Sequence, residues 1–265
     1  MKAYLDSYIE GLLSNGNYTF TRNQLLEQFD TGEAAIRQCL QRLTRNKIVH
    51  QIRNGFYVII PAEYRSAGIL PPTMFIDALM HHLDRTYYVG LLSAAALHGA
   101  GHQQPQSFSV ITTKPTIRPI KRAGLHIRFL VKSEMPQAGI EQKKTPTGFL
   151  NVSSPELTAL DLMTYLKQSG GMASAAAVLE ELAETLHPEK LSQAITESVP
   201  STTLQRLGYI FDEIFGNHAL ADTLWAKLQH RSCFHVALAP GQEKQTGPIS
   251  KKWKIHINMD LEDEL

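Results

Sequence analysis

Histidines and carboxylates are the side chains in this sequence whose types could support catalysis or metal binding. Its eleven histidines include an adjacent pair, His81 and His82, and a pair four residues apart, His98 and His102. Adjacent helical residues point about 100° apart, so the first pair does not share a metal easily. Position 99, where a metalloprotease motif needs Glu, holds Gly, which also argues against a continuous helix there. We therefore predict no metal site.

Two acidic residues, Glu156 and Asp161, could be imagined as the carboxylate pair of a nuclease. Five residues apart on one helix they diverge, and Glu156 stands at capping-box spacing from Ser153. The sequence contains no phosphate-binding glycine motif and no Gly-x-Ser-x-Gly elbow. Cys39 and Cys233 have neither metal-ligand nor redox spacing. These observations predict a protein that is not an enzyme and needs no cofactor.

The clearest functional pattern lies on one predicted helix, residues 33–46. Its apolar residues recur at offsets of 3, 4 and 7, which is typical of a helix with one buried face. The opposite face holds positive charge and amides: Ala34, Arg37, Gln38, Gln41 and Arg45, with Arg42 on the flank. Arg can pair with the O6 and N7 edge of guanine, and Gln with the N6 and N7 edge of adenine. We therefore predict a recognition helix for the major groove of DNA.

The neighbouring elements agree with this interpretation. Two helices precede the recognition helix, the second capped by Thr21, and two β-rich runs follow it, at 48–52 and 56–60. Asn54-Gly55 between the runs is a strong hairpin signal, and Arg53 at the tip is placed to reach a phosphate or the minor groove. This order of elements resembles the winged-helix family. Such domains usually carry Gly where this chain has Lys47, so we expect Asn46 to supply the left-handed position.

From these elements we predict a set of DNA contacts in the turn, the helix and the wing. They are Thr31, Ala34, Arg37, Gln38, Gln41, Arg42, Arg45, Lys47, Arg53 and Asn54. Half to two-thirds of the contacts at such sites go to phosphate, so Arg37 and Lys47 could position the helix rather than read bases. The alternative is a winged helix used for protein contacts alone.

Charge is distributed unevenly along the chain, although the net charge is +1. Residues 107–150 hold eight basic and two acidic side chains, whereas 151–265 hold nine basic and fifteen acidic ones. Opposite fields suggest different partners for different parts of one chain. The basic stretch predicts further DNA or partner contact through four residues: Lys114, Arg118, Lys121 and Arg122. A solvated basic face is the alternative.

At 265 residues, 43% of them hydrophobic, the chain is long enough for two domains. We expect a winged helix-turn-helix at 1–60, a linker at 61–72 and a larger, helix-rich α+β domain at 73–265. No apolar run approaches the roughly 20 residues that span a bilayer, so we expect a cytoplasmic protein without membrane contact. Helices are predicted at 73–85, 87–100, 156–167, 172–186, 188–196, 202–215 and 220–229, and strands at 107–112, 125–131, 149–152, 234–238 and 253–259.

Several short runs in the second domain resemble the AbiEi antitoxins of type IV toxin–antitoxin systems, which act in abortive infection and phage defence. They are Tyr88-Val89-Gly90 through Leu97-His98-Gly99, Val152 through Asp161, Arg206-Leu207-Gly208-Tyr209, and Lys252-Trp253 with Asn258. The resemblance implies a repressor that binds inverted repeats in its own promoter. It also implies a domain that counteracts a nucleotidyltransferase-like toxin, with direct contact left open. The alternative is a stand-alone winged-helix transcription factor whose second domain senses a ligand or a protein.

Overall fold

The computed structural model of the chain describes residues 2–101, 105–122, 124–241 and 247–261. His102, one of the histidines considered above, lies outside them. The architecture is α+β, as predicted: a small helical unit with a three-stranded sheet precedes a larger part with a six-stranded sheet, several helices and a second small sheet. None of the helices in these ranges combines the length and the apolar character needed to cross a bilayer.

The N-terminal unit follows the order of a winged helix. Its elements are α1 (Lys2–Ser14), β1 (Thr19–Thr21), α2 (Arg22–Gln28), α3 (Glu33–Arg45), β2 (Val49–Arg53) and β3 (Phe56–Ile59). The strands pair antiparallel in the order β1-β3-β2. Thr21 caps α2 in a capping box: its Oγ1 accepts from the Gln24 N–H at 3.2 Å, while Gln24 Oε1 accepts from the Thr21 N–H at 2.7 Å.

One prediction about the backbone here was wrong. Asn46 has φ −79°, and Lys47 itself adopts the left-handed conformation with φ 55°. The turn from α3 into β2 therefore places a side chain where such domains usually have glycine, at a modest cost in backbone strain. Lys47 remains exposed to solvent.

The segment after the wing, residues 61–72, contains regular structure and a buried side chain. The segment contains a 3-10 turn at Ala62–Tyr64. Leu70, further along the same segment, is fully buried. A second 3-10 turn, Pro72–Met74, leads into α4 (Ile76–His82). Leu70 thus holds the segment predicted as a linker against the apolar core that it shares with Phe75 and Leu79.

The prediction of one helix over 87–100 was wrong for its first residues, which form a strand. Tyr87–Val89 forms strand β4, and helix α5 spans Leu91–Leu97. Tyr-Tyr-Val has strong β propensity, and here it pairs with strands on both sides, which overrides the helical pattern of the small residues behind it. Gly90 separates the two elements, and a Cβ there would lie 2.6 Å from Ile111 Cδ1.

The central sheet has the strand order β6-β7-β5-β4-β9-β8. The remaining strands are β5 (Phe108–Thr112), β6 (Ile120–Arg122), β7 (Leu125–Val131), β8 (Ile140–Thr145) and β9 (Gly148–Ser153). Strands β5 and β7 are parallel, as are β4 and β9, while the other neighbours are antiparallel. The sequence did not predict β6 and β8, because both are edge strands rich in charge and lack apolar alternation.

The helices that follow this sheet in the chain enclose the larger core. They are α6 (Pro155–Thr164), α7 (Met172–Ala183), α8 (Pro188–Ala194), α9 (Ser201–Tyr209) and α10 (His218–Leu228), with a π-helical turn at Ile210–Ile214. Short strands β10 (Val236–Ala237), β11 (Ile249–Ser250) and β12 (Ile255–His256) form the last sheet. The fully buried Trp253 packs directly on α9, where a Cβ at Gly208 would lie 2.0 Å from its ring.

The cap of α6 also differs from the prediction. Ser154, not Ser153, is the N-cap, and its Oγ accepts from the Leu157 N–H at 3.3 Å. Ser153 Oγ is instead 2.6 Å from Thr158 Oγ1 in the core. The Glu156 carboxylate accepts from the Ser154 hydroxyl at 2.8 Å and from the backbone N–H of His187 at 3.1 Å, so it joins two helix starts.

Candidate nucleic-acid interface

Helix α3 presents two chemically distinct faces. Ile36, Leu40 and Leu43 are buried in the core of the N-terminal unit. The predicted outward residues are exposed: Ala34, Arg37, Gln38, Gln41 and Arg45. After Glu33 this exposed face holds no acid, and Glu33 itself is bound by Arg22 Nη2 at 2.6 Å. The face is therefore positive and rich in amide donors and acceptors.

A cleft of about 690 Å³ lies between α3 and the wing. Its lining is polar and holds no carboxylate, and it brings together residues from α2, α3 and the hairpin: Arg22, Arg37, Leu40, Gln41, Thr44, Arg45, Gln51, Asn54 and Tyr57. Burial raises the pKa of the Tyr57 hydroxyl, partly offset by the charge of Arg22. The cleft thus carries positive charge next to the helix face that could read bases.

Arg53 at the wing contacts the second domain. Its Nη2 donates to the backbone carbonyl of Arg118 in the second domain, and its Cζ lies 5.7 Å from the centroid of the Phe129 ring. Burial, with a smaller contribution from the charge of Arg118, lowers the pKa of its guanidinium. Arg53 therefore anchors the wing to the second domain instead of extending free toward a phosphate. Asn54 beside it is exposed.

Further contacts fix the wing on the same side. Arg122 Nη1 donates to the Gln51 carbonyl at 2.5 Å, and the rings of Phe56 and His82 lie 5.3 Å apart. Side chains from both parts of the chain also share one hydrophobic core, in which Ile52, Phe56, Val58 and Ile60 pack with Phe75, Leu79 and Val110. The predicted division at residues 60 and 73 thus runs through a continuous apolar cluster.

The four predicted basic contacts of the second domain, Lys114, Arg118, Lys121 and Arg122, are all exposed. The structure brings Arg118 and Arg122 against the wing through the two hydrogen bonds just described. Lys121 lies on the edge strand β6, where it pairs with His126 of β7. The basic segment is therefore continuous with the wing, a juxtaposition that the sequence could not show.

Two predicted contacts at the edge of α3 have spare hydrogen-bonding capacity. Thr31 and Arg42 are half-buried. Thr31 Oγ1 and Arg42 Nη2 have no hydrogen-bond partner among the described residues, although both atoms are buried. Polar atoms in this condition are uncommon in folded proteins and often mark a site that a ligand or water completes.

The carboxylates and histidines that could suggest an enzyme are used structurally. Asp161 accepts from the Tyr88 hydroxyl at 2.7 Å and from Lys132 Nζ at 2.8 Å. Burial raises the pKa of Asp161, opposed by the charge of Lys132. Glu156 belongs to a separate network, so the two acids do not form a pair. The sequence did not predict the buried Tyr88–Lys132–Asp161 network, because its members are far apart along the chain.

The histidines also have local partners. The Nδ1 of His81 lies 3.0 Å from the Asp77 carbonyl, and the Nε2 of His98 lies 2.7 Å from the Ser153 carbonyl. Within the described ranges no three His, Cys, Asp or Glu side chains come together in a way that could hold a metal ion.

Comparison with known proteins identifies the central part of the chain. Residues 88–213 match the AbiEi antitoxin C-terminal domain. This segment belongs to the AbiEi antitoxin family. The AbiEi segment runs from strand β4 through the sheet and α9, and it includes the Tyr88–Lys132–Asp161 network. The match supports an antitoxin role for the chain in a toxin–antitoxin system, and it lies entirely after the winged helix.

The fold of the whole chain is also found in a crystal structure of the RV2827C protein from Mycobacterium tuberculosis. The TM-score is 0.69 at 15% sequence identity, and the alignment covers 96% of this chain and 90% of the other. At this identity the likeness concerns the fold. No curated protein matches the sequence.

Proposed function

We propose that the N-terminal winged helix binds duplex DNA with α3 in the major groove. The observation that supports this most strongly is the exposed face of α3, which carries Arg37, Gln38, Gln41 and Arg45 beside a cleft without carboxylates. Arginine and glutamine side chains on such a helix can make bidentate contacts to guanine and adenine. Ala34, near the start of α3, lets the helix approach the base edges closely.

The surrounding residues would contact the phosphates. Lys47 and Asn54 are exposed, Asn54 lines the cleft, and Thr31 and Arg42 have unused polar atoms at the helix edge. Arg53 takes a different role in this proposal: it positions the wing through Arg118 and does not touch DNA. The exposed side chains of Lys114, Arg118, Lys121 and Arg122 extend the positive surface into the second domain.

We further propose that the chain acts in the cytoplasm as a repressor of its own operon, bound to inverted repeats in the promoter. Its AbiEi domain would counteract a nucleotidyltransferase-like toxin encoded alongside, as part of abortive infection. This proposal rests on the family match for residues 88–213 together with the DNA-compatible face of α3. It requires no direct contact between antitoxin and toxin.

A gel-shift titration on the promoter fragment tests the DNA interface. We expect Arg37→Ala and Gln41→Ala each to weaken operator binding by about 1–3 kcal/mol if the side chain contacts a base. Arg65→Ala is a matched control, because Arg65 is exposed but lies outside the cleft. If both α3 variants bind the promoter as wild type does, the assignment of α3 as the recognition helix is wrong.

Co-expression with the neighbouring toxin gene, scored by growth, tests the antitoxin role. We expect the full-length Arg37→Ala, Gln41→Ala double variant to lose repression and still protect the cell. The full chain is the suitable form because the wing shares a core with the second domain. Loss of protection in this variant, at wild-type protein levels, would show that neutralisation requires DNA binding.

A further inference from the structure

A cavity of about 590 Å³ lies between the central sheet and α7, separate from the cleft beside α3. Ser109 of β5 and Arg128 of β7 line it on the sheet side, and Ser174 and Val178 line it on the α7 side. Its polar lining includes Ser107, Ser109, Arg128, Lys167, Gly170 and Ser174. Its volume falls within the range of small-molecule binding sites. Neither the winged helix nor the buried Asp161 network uses this cavity.

Two cations face the cavity without a carboxylate partner. Arg128 lies beside Ser109 in the parallel pairing of β5 and β7, and Lys167 follows α6. Arg128 is held in place, since its Nη1 donates to the Gln168 carbonyl at 3.3 Å and its Nη2 donates to Ser107 Oγ. In the described part of the chain, neither cation has Asp or Glu within ion-pair distance. A positioned guanidinium with spare donors is well suited to bind an oxyanion.

A buried hydroxyl lies next to these cations. Ser109 is 3% exposed and lines the cavity. Its backbone N–H donates to Ser93 Oγ at 2.9 Å, which fixes the residue where β5 pairs with β7. Ser109 therefore adds a polar residue to the cavity beside Arg128.

The start of α7 also lines the cavity, through Gly170 and Ser174. Gly170 and Gly171 have φ of +86° and +91°, and no side chain caps this twelve-residue helix. A Cβ at position 170 would lie 2.8 Å from Ser174 Oγ, so glycine is what allows the loop to approach that hydroxyl. Gly170 and Ser174 therefore line the same cavity as Arg128 and Lys167.

One carboxylate, Glu181, also lines the cavity, and its Oε2 accepts from the Gly101 N–H at 2.7 Å. The balance of two cations to one engaged carboxylate remains positive. We propose that this cavity binds a small phosphate-bearing molecule. Arg128 and Lys167 bind the phosphate, Ser109 and Ser174 lie beside it, and the apolar wall at Leu92 and Val178 contacts the rest of the ligand.

Isothermal titration of the full chain tests the site with three probes: inorganic phosphate, adenosine diphosphate and adenosine. We expect saturable binding of the diphosphate with one site per chain, and no binding of adenosine at matched concentration. Lys167→Gln should weaken diphosphate binding about tenfold, and Arg128→Gln at least as much, because each removes a charge-assisted hydrogen bond. Since Lys167 is exposed, its variant is expected to fold normally even if Arg128→Gln does not.

Two controls locate the binding. Lys190→Gln removes an exposed cation from α8, outside the cavity lining, and should bind the diphosphate as wild type does. Arg45→Ala alters the DNA cleft and should also leave diphosphate binding unchanged. Absence of saturable binding, equal binding of adenosine, or loss of binding in Arg45→Ala but not in Lys167→Gln would each overturn the proposal. Operator binding by Lys167→Gln should stay at the wild-type level, so the two proposals fail independently.

Discussion

Helix α3 and the wing form the two walls of one cleft, yet they present their arginines in opposite ways. Arg37 and Arg45 on α3 point to solvent, whereas Arg53 on the wing is bound to the backbone of the second domain. The helix is buried on its apolar face alone. The wing sheet packs on both faces, one against α3 and α1, the other against the second domain. Arginine is therefore exposed to solvent in one wall and bound to the second domain in the other.

The difference shows how the second domain holds the N-terminal unit. The tip of the wing is held by Arg118, its middle by Arg122, and its apolar face by the core that includes Phe75 and Leu79. The wing is structurally part of both units, so α3 and the AbiEi domain are held in a fixed relation.

The largest expected effect comes from removing an apolar side chain of the shared core. Phe56 is 2% exposed in β3, and we expect Phe56→Ala to destabilise the protein by about 3–5 kcal/mol. Unfolding, followed by circular dichroism and calorimetry, should remain one transition that shifts as a whole. Phe149→Ala, at a 58% exposed position, should change stability by less than about 0.5 kcal/mol. A transition that splits, with the second domain unaffected, would show that the wing is independent.

Substitutions of Arg53 and Arg45 should rank in opposite order in their effects on stability and on DNA affinity, which tests the comparison directly. Arg53→Ala removes a hydrogen bond and a ring contact, and we expect it to lower stability by about 1–3 kcal/mol. Arg45→Ala should leave stability within about 0.5 kcal/mol of wild type, since Arg45 is exposed. In gel shifts the order should reverse, with the greater loss of affinity in Arg45→Ala. If Arg53→Ala lost affinity at unchanged stability, the wing tip would contact DNA after all.

The smallest effect concerns the basic edge of the second domain. Lys121 lies on edge strand β6 beside the wing, and Lys144 lies on β8 at the opposite edge of the same sheet. If Lys121 contacts a phosphate, Lys121→Ala should lower the slope of log affinity against log salt by about one, uniformly across DNA sequences. Lys144→Ala is the matched control and should leave the slope unchanged. Equal slopes for both variants would confine the DNA interface to the N-terminal unit.

The parts of the fold that the sequence predicted correctly are those governed by local periodicity. The apolar spacing of Ile36, Leu40 and Leu43 specified both the extent of α3 and its exposed face. The Asn54-Gly55 pair located the hairpin, where Gly55 takes φ +75°. Both signals lie within a few residues of the feature they determine.

The features that the sequence did not predict depend on contacts between distant residues. Tyr87–Val89 became a strand because β5 and β9 lie on either side of it. The role of Arg53 depends on a carbonyl 65 residues further along the chain. The alternation pattern also could not reveal that charged edge strands complete the sheet, because strand pairing supplies the stabilisation there. Neither the docked wing nor the phosphate cavity has a signature in one short stretch of sequence.

The core shared by the wing and the second domain has a geometric consequence for an operator with two half-sites. Because α3 cannot swivel relative to the AbiEi domain, the helical phase of the DNA sets the direction in which each bound copy projects. Half-sites separated by whole turns of about 10.5 base pairs would display both antitoxin domains on one side of the duplex. A spacer changed by half a turn would display them on opposite sides. The promoter would then dictate the angular arrangement of the antitoxin domains along the double helix.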